Sequence, residues 1–290
     1  MKLQTFHRTR YRYGAAVRES FNEARLRPAT ADGQECRHFE LHITPAARQS
    51  HYLDFYQNCV HLFEIAAPHT ELVVEATAHV LTCDAPALAP DARPAPLARI
   101  GDALLLDRCY DFLPPSTYVE ITPETTALAP TAAAGATDVW QAALALTRHI
   151  QREFSYRPAA TNVHTHMREV LKARHGVCQD FAHVLIGYCR ALQIPARYVS
   201  GYLYNGPLDQ LKGSQASHAW AEVYVPGAGW CGLDPTNGRA TAGHHVKVAV
   251  GRDYADVSPL KGTYRGTDKH ILTVEVLVRP LETPTAVATP

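Results

Sequence analysis

The stretch HGVCQDFAHVLIGYCRAL, from position 175, places a cysteine where an apolar helix should begin. Taken over 177–192 at about 100° per residue, the helix puts Ala182, Leu185 and Cys189 on the face of Cys178. Phe181, Val184, Tyr188 and Leu192 cover the neighbouring face. A helix apolar over most of its circumference is buried, and its N-terminus is the end able to reach a cleft. Unpaired backbone N–H groups and the helix dipole favour an anion there. A thiolate is such an anion, and the same amides suit the oxyanion of a tetrahedral intermediate. Asp180, in the first turn, works against the thiolate unless it is paired or points outward. The competing reading is packing, because free cysteine mostly serves as a small buried hydrophobe. Cys189 and Cys231 are read that way.

A nucleophilic cysteine needs a base. His183 lies five residues after Cys178 and points roughly 140° away around the helix, which makes it a packing histidine. His175 precedes the helix and stays open. His218 is better placed. In SHAWAEVYV, period-two alternation puts His218, Trp220, Glu222 and Tyr224 on one face and Ala219, Ala221, Val223 and Val225 on the other. If the following turn is the three residues 226–228, Val225 pairs with Gly229 and Asp234 falls opposite Trp220. Asp234 then shares the face of His218 on the diagonal, about 7–8 Å away at the backbone and within side-chain reach. A carboxylate there can orient the imidazole through its second nitrogen. A turn of two or four residues would send Asp234 to the wrong face. Asp234 also reads as a turn residue, since DPTNG is a turn sequence. Trp220 and Trp230 read mainly as packing, with Trp220 the candidate for lining a substrate cleft. A metal site from Cys178, His218 and Cys231 has no supporting ligand spacing.

Around these residues the chain must build a scaffold. Its 290 residues suit one large domain or two ordinary ones, and 46% apolar residues suffice for a core. Twenty-eight basic residues balance 28 acidic ones, which gives no electrostatic case for nucleic acid or an anionic membrane. The seven cysteines are irregularly spaced without CxxC, which argues against a disulfide framework and against a zinc ribbon. MKLQTFHRTRYRYG lacks an apolar h-region, and no apolar run approaches the roughly 20 residues of a membrane helix. The expectation is a cytoplasmic protein with free thiols.

Residues 1–85 read as an N-terminal antiparallel β domain, sheet or sandwich, from runs such as CRHFELHITP, CVHLFEI and TELVVEATAHVL. Residues 86–138 read as a Pro/Ala-rich connector and variable segment, including DAPALAPDARPAPLA at 84–98 and ALAPTAAAGATD at 127–138. Residues 139–290 form the remaining domain. Helices are expected over 139–154 and 167–173, then the Cys178 helix ending before Pro195. ARYVSGYLY should be a strand, SHAWAEVYV and GWCGLD a hairpin, and HILTVEVLVR a final strand before a loose tail, PLETPTAVATP. The class is α+β.

GVCQDFAHVLIGYCRALQIPARYVSGYL followed by SHAWAEVYVPGAGWCGLDPTNG resembles the transglutaminase-like superfamily of papain-fold thiol enzymes. Its three blocks occur in the family order: Cys within GVCxD, His within HAWAEV, Asp within LDPTN. HHVKVAVGRDYADVSPLKGTY and YGAAVRESFNEARLRP are similar to segments of a bacterial subgroup with an N-terminal β domain, so the likeness covers nearly the whole chain. It implies a papain-like core of helices on an antiparallel sheet, with Cys178 as nucleophile, His218 as general base and acid, and Asp234 as its orienting partner. The implied activity is acyl transfer on the amide of a protein or peptide substrate, by hydrolysis or transamidation. No cofactor and no metal are called for, since nothing resembles a calcium loop. The alternative is a protein-binding module that keeps the fold without turnover.

Overall fold

The structure is a computed structural model and describes residues 1–31, 33–84, 88–89, 92–93, 95–96, 109–158, 165–206, 217–267 and 269–281. Its first layer is antiparallel: β1 (Lys2–Ala24), β2 (Gln34–Thr44), β3 (Gln49–Leu53), β4 (Cys59–Ile65) and β5 (His69–Thr82), in the order β2-β5-β1-β4-β3. Period-two alternation decides its inner face, because Leu3, Thr5, His7 and Thr9 of β1 are all buried. The pairing of β1 with β5 shifts register between Arg12 and Val17, and beyond that break β1 pairs with β4. One long strand thus serves two sets of partners.

Four helices and a second sheet follow. The helices are α1 (Pro123–Ala132), α2 (Val139–Glu153), α3 (Met167–Ala173) and α4 (Cys178–Ala191), with the short parallel pair β6 (Ser155–Tyr156) and β7 (His175–Gly176) between them. The second sheet contains β8 (Ala196–Leu203), β9 (Ser217–Val225), β10 (Gly229–Asp234), β11 (Arg239–Ala240) and β12 (His245–Gly251), ordered β11-β10-β9-β8-β12. Every residue of α4 from Gln179 to Arg190 is buried, as its apolar girth requires. Ala219, Ala221, Val223 and Val225 of β9 belong to the same core as Ala182, Leu185 and Cys189 of α4. Short side chains on the strand let the helix lie close to the sheet.

Two expectations need correction. Within the expected connector, residues 123–132 form α1. Thr122 and Thr125 cap its start reciprocally (Thr122 N to Thr125 Oγ1, 2.8 Å; Thr125 N to Thr122 Oγ1, 3.2 Å), and Pro123 sits in the first turn, where no N–H is needed. Pro130 comes late enough to cost one helical hydrogen bond without breaking the helix. The second correction concerns the end of the expected 139–290 domain. After the short helix α5 (Tyr254–Val257), strands β13 (Leu260–Arg265) and β14 (His270–Pro280) pair with β1 and complete the first layer. Alternation within HILTVEVLVR identifies a strand but not its partner. Most of the expected connector at 84–98 and nearly all of the tail lie outside the described residues.

The two layers are fastened along an edge. β12 ends its sheet, so one side of its backbone has no strand partner. Side-chain amides of the first layer take that place. Gln34 Oε1 accepts from Lys247 N while its Nε2 donates to Lys247 O, both at 2.8 Å. Asn58 repeats the pattern at Val250, at 2.7 Å to N and 2.8 Å to O. Asn58→Ala strips two buried backbone groups of their partners and should cost about 2 kcal/mol in urea unfolding. A loss below about 0.5 kcal/mol would show that water replaces the amide there.

Candidate active site

Cys178 is the first residue of α4, and the backbone before it explains the sequence HGVC. Asp180 Oδ2 folds back and accepts from Val177 N at 2.8 Å. A side chain on Gly176 would occupy the space of that carboxylate, so glycine is required there. The charge expected to oppose a thiolate is therefore buried and spent on the helix's own start. Cys178 is half-buried, whereas Cys189 and Cys231 lie in the core. Burial pushes the Cys189 thiol up to about 12, which keeps it protonated.

The three-residue turn after β9 sets the next part. Val225 pairs with Gly229 and Ala221 with Leu233, so the register continues to Asp234 opposite Trp220. Gly227 and Gly229 carry φ of 87° and 84°, the left-handed region that glycine enters without strain. On this register the Asp234 carboxylate meets His218: Nε2 and Oδ2 are 2.9 Å apart, and both side chains are wholly buried. The other ring nitrogen, Nδ1, has no partner of ordinary hydrogen-bond geometry. The Cys178 side chain nevertheless lies close enough to the ring to raise its proton affinity. Burial alone would lower the imidazole; the Asp234 charge and hydrogen bond, with the help of Cys178, outweigh it and raise His218 to about 10. Burial would raise Asp234, but its histidine partners hold it well below the carboxylate range.

His245, at the start of β12, is a further residue of this cluster that the sequence reading did not single out. Its Nε2 lies 3.1 Å from Asp234 Oδ2, the same oxygen that His218 uses. Asn237 Nδ2 donates to that oxygen at 2.7 Å, while Oδ1 accepts from Thr236 N at 3.0 Å and Asn237 N at 3.2 Å. The available signal was its place in HHVKVAVGRDY, directly ahead of an apolar strand. Gly201 makes the meeting possible. It pairs with His218 on β9, and a side chain there would run into the Trp220 ring and the Val246 carbonyl. In the space it leaves, the His245 and Trp220 rings pack edge to face with centroids 5.2 Å apart.

His218, Asp234 and His245 present ligand-type atoms all within 4.8 Å of one another. Each imidazole is already turned to the shared carboxylate, and a cation would have to displace both contacts. The cluster thus reads as a hydrogen-bond network rather than a ligand set. Cys231 packs in the hydrophobic core. Trp220 is 2% exposed and packs with Val199 and Val250, and its remaining surface lines a cavity of about 380 Å³ together with Glu222, Trp230, His245 and Lys247. Trp230 packs against Phe112 and Tyr224 beneath the Arg197 guanidinium. His183 is fully buried, stacks on Tyr118 and accepts from Tyr254 N at 3.2 Å. His175 bonds through Nδ1 to the Ala173 carbonyl. GRDY is structural: the Arg252 carbonyl accepts from buried Arg190, and the Asp253 carboxylate accepts from Tyr118 N and Ala255 N.

Comparison with known proteins agrees with this architecture. A model of the transglutaminase-like superfamily matches residues 126–235, and one of the bacterial transglutaminase-like N-terminal region matches residues 3–81. The chain belongs to the transglutaminase-like superfamily. Within that superfamily it is 34% identical to an uncharacterized protein of Mycobacterium leprae, across 97% of this chain and 99% of the relative. A protein-glutamine gamma-glutamyltransferase of Pseudomonas aeruginosa is 33% identical over 42% of this chain, but that match covers 20% of the enzyme. Among solved structures, one described as a candidate cysteine protease of Cytophaga hutchinsonii superimposes with a TM-score of 0.75. It is 25% identical, over 98% of this chain and 91% of that one. The shared fold is the transglutaminase-like one, with the antiparallel N-terminal layer included.

The buried histidines set opposite pH limits. Burial lowers His7 to about 4 and His183 to about 3, from an ordinary 6.5. Below pH 6.5 the unfolded chain takes up protons that these folded rings refuse, so stability falls as pH falls toward 4. The raised His218 acts in reverse: its contribution is complete below 6.5 and is lost as pH rises to about 10. Melting temperature should therefore peak near pH 6.5. Thermal melts that keep rising from about pH 7 to pH 9 would contradict these assignments.

Proposed function

We propose that the protein is a thiol-dependent acyl-transfer enzyme acting on amide bonds, with Cys178 as nucleophile, His218 as acid and base, and Asp234 as the group that orients His218. One observation carries this reading: a half-buried cysteine at a helix N-terminus faces an imidazole whose other nitrogen is fixed by a buried carboxylate. The raised His218 favours the imidazolium at neutral pH, the form that can hand a proton to a leaving group. The sulfur adds to an amide carbonyl carbon, and backbone N–H groups at the start of α4 would hold the oxyanion. His218 passes its proton to the leaving nitrogen, the C–N bond breaks, and a thioester remains. Water or an amine then adds to the thioester carbon while His218 takes its proton. The C–S bond breaks, and the free cysteine sulfur and the His218 imidazolium are restored.

Both acceptors use the same acyl-enzyme. Hydrolysis of a protein or peptide amide is the reading we favour, because the likeness to the candidate cysteine protease extends over nearly both chains. The likeness to the glutamyltransferase covers a fifth of that enzyme and supports a shared core rather than a shared acceptor.

A scan of peptides and amides by mass spectrometry tests this, with product masses read for wild type, Cys178→Ala and Cys189→Ala. Gain of water marks hydrolysis; loss of ammonia with gain of an amine marks transamidation. Cys178→Ala should abolish turnover, by at least about 10³-fold, while Cys189→Ala retains it. Equal loss in both variants would refute the assignment of Cys178.

A further inference from the structure

The donors that hold Asp234 are of two kinds. Thr236 N, Asn237 N and Asn237 Nδ2 belong to residues two or three positions further on and move with Asp234's own turn. The two imidazoles come from other strands. His218 is the ring that Asp234 orients, so it cannot serve as the reference for that orientation. His245 can. It sits on β12, two strands away from β9 in the sheet order. Two residues on, at Lys247, that strand is clamped to the first layer by Gln34.

The proton on His245 is placed by its surroundings. Ala242 N lies 3.3 Å from His245 Nδ1, and an amide nitrogen can only donate, so Nδ1 accepts and the ring proton is on Nε2. That proton faces Asp234 Oδ2. Trp220 packed against the ring keeps it from turning. Among the described residues on this side of the sheet, Glu222 is paired with Arg197 at 2.6 Å and with Lys247 at 2.5 Å. Asp180 and Tyr156 lie on the Cys178 side of the cluster.

We propose that His245 is a positioning residue: a neutral imidazole that braces the Asp234 carboxylate against β12 and so fixes the orientation in which His218 meets Cys178. The inference rests on the acyl-transfer reading above and adds a fourth side chain to it. Without the brace the carboxylate can shift with its turn, and the imidazolium meets the thiolate less closely. A less closely met thiolate needs a higher pH to form.

The test needs no substrate. Full-length wild type, His245→Leu, His245→Gln, His245→Asn and His218→Ala are alkylated with iodoacetamide between about pH 4 and pH 10, and modification of Cys178 is followed by peptide mass spectrometry. Glutamine places an N–H donor near the position of Nε2; asparagine is too short to do so. The leucine and asparagine variants should move the acid limb of the profile up by about one pH unit, with the rate at a fixed pH on that limb reduced about tenfold. Glutamine should stay within about threefold of wild type. Should the leucine variant fail to fold, the glutamine and asparagine pair still decides. Wild-type behaviour in both, or equal loss in both, overturns the role of His245. His218→Ala should move the acid limb further still, to the range of an ordinary free thiol near about pH 8.5. If it leaves the profile unchanged, the acyl-transfer reading itself fails, whatever the His245 variants do.

Discussion

A single buried anion organises the second half of this molecule. Asp234 has no solvent to stabilise it, and an unpaired carboxylate at that depth would be too costly to keep charged. Among the described residues, five donors surround it, from a turn, from β9 and from β12. Satisfying them fixes where β10 must end, how the 235–244 segment must return, and which way the His218 ring must face. The charge is also what makes burial of His218 compatible with a raised proton affinity: isolated in the same place, that ring would be driven neutral as His183 is.

The scaffold around that anion depends on side chains that are missing as much as on those present. Gly176 gives Asp180 room to fold onto the helix start, Gly201 gives Trp220 and His245 room to meet, and Gly187 lets Met167 of α3 lie directly against α4. At Gly176 and Gly201 even an alanine would block the approach, whereas at Gly187 it would push aside the end of the Met167 side chain. Buried polar groups then hold the pieces in place. Arg190, wholly buried, donates to the carbonyls of Pro114, Ala196 and Arg252 and to the Ser116 hydroxyl, joining the entry segment, β8 and the GRDY loop at one end of α4.

Much of this was legible because the decisive signals were local. The helix face of Cys178, the alternation in SHAWAEVYV and the length of the PGA turn each follow from a few adjacent residues. Together they place Asp234 on the diagonal from His218. The proline- and alanine-rich composition of 123–132 hid a helix whose evidence was its cap, Thr122 with Thr125, rather than an apolar stripe. Neither His245 nor the partner of HILTVEVLVR could be read in this way. β10 and β12 are separated by two strands, and β14 pairs with β1 from the opposite end of the chain. Periodicity identifies an element and its buried face, but pairing between distant elements leaves no trace in either sequence alone.

The zipper between β1 and β14, from Leu3 opposite Pro280 to Tyr13 opposite His270, also bears on how the protein reaches its native state. Contacts joining such remote residues carry a large loop-closure cost and form late in folding. During synthesis the leading strand emerges long before its neighbour exists, and its open edge must be sheltered meanwhile. The β1–β14 pairing can therefore be completed only after the second sheet's sequence has been made, which ties the last strand of the first layer to the far half of the molecule.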